Sequence, residues 1–123
     1  MREIKFKAFI KKLGWLVPVD RINFDCETVE ADLSGEGDTA EYNFDEIELV
    51  EYTGKFTDKR TCIFEGDIFM CNNDLVVIRW AGHGFYPFRR KNSAEFNKVT
   101  NWGMVVKSEP IGNIHKNPEI LTT

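Results

Sequence analysis

Carboxylates are the residues of this 123-residue chain whose type and spacing come nearest to a reactive arrangement. Glu30 and Asp32 are two apart in one extended stretch, and Glu46 and Glu48 in another. Each pair therefore falls on one face of a strand. Glu27 stands just ahead of the first pair. Two adjacent carboxylates offer hard oxygen ligands to a divalent cation. Neither pair has a partnered histidine or a phosphate-binding loop, however, and a solvated strand face accounts for both. His83 lies between Gly82 and Gly84 at a hairpin tip, with no nucleophile or orienting group marked for a general base. Cys26, Cys62 and Cys71 are odd in number and lack CxxC spacing, which speaks against a disulfide framework and against zinc. GxSxG, HExxH and P-loop patterns are missing. The expectation is a non-enzyme with no catalytic residue, no metal and no cofactor.

Two surfaces are better candidates for binding. Trp80, Tyr86, Phe88, Arg89, Arg90 and Lys91 combine aromatic rings with cations. Single-stranded nucleic acid is held by such groups, the rings stacking on bases and the charges meeting phosphates. Core packing explains the same aromatics, and Pro87 suggests an edge strand whose basic residues block edge-to-edge pairing. The second surface is acidic: Glu27, Glu30, Asp32, Glu46 and Glu48. It belongs to residues 20–51, which hold twelve Asp/Glu against one Arg, whereas residues 1–19 and 52–118 each carry a net charge of +4. The overall charge of −4 hides this asymmetry. Opposite patches on one chain favour contact between copies or with a basic partner. The partners expected are thus a second copy, another protein, or nucleic acid.

The elements that position these residues read as short strands. Apolar side chains alternate with lysines over Ile4–Ile10, and Trp15–Val19, Arg21–Phe24, Thr28–Leu33, Glu41–Phe44 and Glu46–Tyr52 continue the period of two. Pro18 is expected at an edge or a strand end. Phe44–Ile47 offers an alternative helical turn. The polar Tyr52–Thr61 stretch is the candidate boundary, giving units of residues 1–52 and 53–123. Beyond it, Asp67–Cys71, Leu75–Trp80, Phe85–Phe88, Val99–Val106 and Pro110–Ile114 are strand candidates at the spacing of a small antiparallel barrel. Residues 92–97 and 117–121 are the expected short helices. No apolar run approaches the ~20 residues of a membrane-crossing helix, and Met1–Lys12 lacks the layout of a secretory signal, so a cytoplasmic, non-membrane location is expected.

Several short signatures sit at fixed places among these elements. They are Ile4-Lys5-Phe6-Lys7-Ala8, Tyr52-Thr53-Gly54, Phe64-Glu65-Gly66-Asp67-Ile68, Ile111-Gly112-Asn113-Ile114 and Asn117-Pro118-Glu119. In this order the chain resembles the YopX family of phage and prophage proteins over nearly its whole length. It departs from the family in having no glycine in Asp58-Lys59-Arg60-Thr61. The resemblance implies a mainly β fold, with an N-terminal antiparallel β lobe on a C-terminal SH3-like β-barrel, and a phage origin. It implies no reaction. Residue by residue the signatures read as structure: Gly66 for a sharp entry into a strand, Asp67 as a turn acceptor, Gly112 for a bulge or close approach, and Asn117-Pro118 as a helix cap. The reading that follows is a non-catalytic accessory protein acting through protein contacts or self-assembly. A nucleic-acid-binding module is the alternative.

Overall fold

The computed structural model describes residues 5–90 and 96–122. Ile4, Lys91 and the expected helix start at 92–95 lie outside the described residues. The chain divides into two compact units, with the break between Glu51 and Tyr52.

The first unit is a meander of β1 (Phe6–Ile10), β2 (Trp15–Asn23), β3 (Thr28–Asp32), β4 (Thr39–Asn43) and the first half of β5 (Ile47–Phe56). Its antiparallel order is β4-β3-β2-β1-β5. One face carries Ala8, Ile10, Val17, Val29, Ala31 and Ile47, which form its core. Trp15 to Asn23 is a single nine-residue strand and not two pieces. Pro18 lies inside β2, an inner strand, rather than at an edge. It pairs with Lys7 of β1, but pairing to β3 begins only at Val19, where Ala31 is the partner. Phe44–Glu46 is a single 3-10 turn, closed by Glu46, whose Oε1 accepts the Asn43 N–H at 2.9 Å.

From Tyr52 onward β5 pairs with β6 (Cys62–Phe64), so the first half of the polar stretch read as a boundary, Tyr52–Phe56, is strand. The register shifts between Tyr52 and Phe56, and Gly54 has φ 89°. A glycine in the left-handed region is what such a bulge requires. The second unit also holds β7 (Asp67–Cys71), β8 (Asp74–Trp80), β9 (Phe85–Arg90), β10 (Phe96–Val99), α1 (Trp102–Val105) and β11 (Gly112–Asn113). Asn72 and Asn73, both at positive φ, make the tight turn between β7 and β8. The order β10-β9-β8-β7-β11 is an open antiparallel sheet. The expected SH3-like barrel does not close among the described residues.

The strand expected over Val99–Val106 explains the open sheet. It stops at Val99, and Asn101 Oδ1 then accepts the Met104 N–H at 2.9 Å, capping α1. Trp102 and Val105, three apart, lie on the same helical side, with Val105 fully buried. One face of the sheet packs Phe69, Cys71, Val76, Ile78 and Phe85, together with Ile63 of β6, against α1. The other packs Ile68, Leu75 and Val77 against Ile114, Ile120 and Leu121. The last two belong to the 3-10 turn Pro118–Thr122.

Candidate functional site

The signatures at 64–68 and 111–117 meet in space. β11 pairs with β7, placing Gly112 beside Ile68 and Asn113 beside Asp67. Asp67 accepts the Phe64 N–H at 2.8 Å and the Asn113 side-chain amide at 3.0 Å. The same amide reaches the Glu65 carbonyl, and Asn113 Oδ1 accepts the His115 N–H. Asn117 Oδ1, ahead of the terminal turn, accepts the Asn113 N–H at 3.3 Å. Gly66 has φ 84°, and a Cβ there would lie 2.9 Å from Ile114. Among the described residues no buried side-chain N or O lacks a partner. The buried side chains of this knot, Asp67 and Asn113, are spent on internal hydrogen bonds. Thr53 is used similarly, its hydroxyl donating to the Ile63 carbonyl at 2.7 Å.

The acidic residues separate into individual structural tasks. Asp32 is buried and its carboxylate accepts the N–H groups of Gly35 and Gly37, folding the β3–β4 loop. Glu30 stands opposite Arg21 on β2 and Glu41 on β4, and its Oε2 lies 3.6 Å from Arg21 Nε. These residues, with Asn23 and Thr28, line a hollow of about 80 Å³. Glu46 is turned to the Asn43 N–H, and Glu48 lies 3.6 Å from Lys11 Nζ. Glu27 sits in the β2–β3 turn at φ 55°. No group of three or more His, Cys, Asp or Glu able to hold a metal occurs among the described residues.

The aromatic–basic residues fall on both faces of their sheet. The register pairs Trp80 with Phe85, Ile78 with Pro87 and Val76 with Arg89 on one face, and Arg79 with Tyr86 and Val77 with Phe88 on the other. Trp80 and Arg89 thus share one side; Tyr86, Phe88 and Arg90 share the opposite side. Arg89 Nε and Arg90 Nε both contact Asp74, at 3.2 and 3.3 Å. One carboxylate therefore offsets part of the positive charge of these two arginines. β9 is an inner strand, not an edge. Buried Pro87 is tolerated there because β10 has ended: the Thr100 N–H, beyond Val99, reaches the Pro87 carbonyl at 2.9 Å. Lys91 lies outside the described residues.

Two aromatic surfaces carried no mark in the sequence reading. In the second unit, Gly54, Lys55, Phe56, Trp102, Gly103 and Val106 line a groove of about 310 Å³. Lys55 Nζ lies 5.4 Å from the Trp102 ring centre, and the Arg60 guanidinium 4.9 Å from that of Phe56. Arg60 takes the left-handed conformation (φ 72°) that a glycine would otherwise supply in the 58–61 turn. That turn is clasped from the other side by Glu109, which accepts the Thr61 hydroxyl. The Thr57 and Thr61 hydroxyls, with a smaller contribution from Lys59, hold the Glu109 carboxyl below the usual glutamate range. In the first unit, Phe24 projects from the β2–β3 turn, edge-on to Phe44 at 6.0 Å. The local signal for Phe24 was an aromatic inside a polar turn, Asn23-Phe24-Asp25-Cys26. The groove had no such signal, because Phe56 and Trp102 are 46 positions apart.

A family model described as YopX protein matches residues 5–122. A search of curated proteins finds no match. Among solved structures, the crystal structure of protein EF1440 from Enterococcus faecalis is similar at 20% identity and a TM-score of 0.66, over 98% of this chain and 99% of that one. At that identity the likeness speaks for the fold alone.

Proposed function

Since this chain belongs to the YopX family, we propose that it is a phage-encoded, non-catalytic accessory protein of the bacterial cytoplasm that works through protein–protein contacts, including contacts with its own copies. The observation that carries this reading is the exposure of its aromatic side chains: Trp15 is 48% exposed, Phe24 72%, Phe56 45% and Trp80 51%. Aromatic residues are what protein interfaces concentrate at their centres. In the signatures, by contrast, the side chains of Thr53, Asp67, Asn113 and Asn117 make internal hydrogen bonds, so these residues serve the scaffold. No helix among the described residues is long and apolar enough to cross a membrane.

Capture from host lysate on the tagged protein, in nuclease-treated and untreated arms, tests the reading. A discrete set of proteins retained in both arms is the expected result. Loss of all captured material after nuclease treatment would overturn it in favour of nucleic acid. That alternative relies on Trp80, Tyr86, Phe88, Arg89, Arg90 and Lys91. The division of the first five between two faces and the shared Asp74 contact weigh against a single binding surface.

A further inference from the structure

The two aromatic surfaces found in the separate units match each other in chemistry. The β2–β3 tip presents Phe24, the most exposed large apolar side chain among the described residues. Phe44 supports it from the side, and Asp25, Glu27 and Asp45 stand around the pair in sequence. The tip is held in shape by Asn23, whose Oδ1 accepts the Cys26 N–H at 3.1 Å. It is an apolar knob with an acidic collar.

The groove of the second unit is the converse. Phe56 and Trp102 form its walls, and Gly54 and Gly103 bring no side chain to block it. It carries cations: Lys55 lines it and rests on Trp102, and Arg60 rests on Phe56, one of its walls; among the described residues neither makes an ion pair. Cations held this way keep their charge available to an incoming anion. An apolar centre enclosed by charges of opposite sign on the two sides is the anatomy of a protein interface.

We infer that the β2–β3 tip of one copy docks in the Phe56–Trp102 groove of a second copy, with Phe24 entering the groove and Asp25 and Glu27 meeting Lys55 and Arg60. This rests on the protein-contact reading above and names its surfaces. Knob and groove are different patches of the same chain, so the contact is heterologous. Such contacts repeat from copy to copy and form rings when the rotation closes and open chains when it does not. The charge asymmetry between residues 20–51 and 52–118 acquires a use: each copy presents its acidic tip to the basic unit of the next.

Mixing of two variants tests the docking. Phe24→Ser removes the knob but leaves the groove; Lys55→Glu alters the groove but leaves the knob. Both positions are exposed, and thermal melting confirms that each variant is folded. In sedimentation velocity at low salt, wild type is expected to form species larger than a monomer. Each variant alone should weaken association about tenfold or more, the scale of losing an interface hot spot. An equal mixture should give discrete heterodimers, because one intact knob and one intact groove remain between them. A wild-type protein that stays monomeric across concentration and salt overturns the inference, while protein partners in the nuclease-treated capture would still uphold the broader reading. Wild-type assembly unaffected by either substitution overturns the tip-in-groove contact and leaves self-assembly standing.

Discussion

Asp67 shows how a signature residue earns its place through the backbone it satisfies. Its carboxylate accepts the Phe64 N–H and the Asn113 amide inside the second unit. Truncation leaves the buried Phe64 N–H without this acceptor, while the Asn113 amide keeps only the Glu65 carbonyl; an orphaned buried polar group costs about 1–3 kcal/mol. Asp67→Ala should therefore lower the urea midpoint by the equivalent of about 1–3 kcal/mol. Asp67→Asn, which keeps one carbonyl oxygen, should lose less. Gly66→Ala meets two obstacles, a left-handed φ costing about 1–2 kcal/mol and a Cβ 2.9 Å from Ile114. Gly112→Ala places its Cβ 2.7 Å from Ile120 Cδ1 but has no positive φ to sustain. The same denaturation series should rank Gly66→Ala as the more damaging. Glu109 adds a pH dependence. Its carboxyl is held down in the folded chain by the Thr57 and Thr61 hydroxyls, then by Lys59. A depressed folded pKa contributes stability above the unfolded pKa, and that contribution is lost as pH falls through the folded value. Glu109→Gln should flatten the acid limb of melting temperature against pH; an unchanged limb would show that the clasp contributes nothing.

At the scale of elements, prolines and asparagines decide where strands stop. Pro18 and Pro87 both lie in inner strands, a position that sequence reasoning assigns to edges. In each case the neighbour is present on one side while the ladder on the other begins or ends beside the proline. An inner strand accepts a proline where its missing N–H has no partner to disappoint. Asn101 acts differently. It ends the run after β10 by capping α1, and that one turn supplies Val105 to the core and Trp102 to the groove. Asn101→Ala should cost about 1 kcal/mol, within the ~0.5–2 kcal/mol range of lost N-caps. Because α1 carries Trp102, the substitution should also weaken self-association; sedimentation of the same preparation checks both effects together with its melting temperature. The outer strand β4 illustrates edge protection: it is five residues long, carries Glu41, and has its Asn43 N–H covered by Glu46.

For the whole molecule, each unit has its own core, and the acidic and basic halves of the sequence coincide with the first and second units from residue 20 onward. If knob and groove join copies, raising ionic strength from about 0.02 to 0.5 M should shorten the Debye length several-fold and weaken assembly. The apolar centre should leave a residual, salt-insensitive association, seen by light scattering across the same series. Period-two alternation was enough to establish strands from Phe6 to Asp32, because that signal is local. The signature glycines were legible as backbone requirements for the same reason. Barrel closure was not legible: Val99–Val106 satisfies both a strand and a helical turn, and only the Asn101–Met104 hydrogen bond chooses between them. The sequence by itself determined the family, the β character and the charge asymmetry, all written in neighbouring residues. Tertiary structure alone decided that the aromatic–basic residues divide between two faces and that Phe56 meets Trp102. Those facts depend on pairing register and on contacts across dozens of positions, where alternation along one strand carries no information.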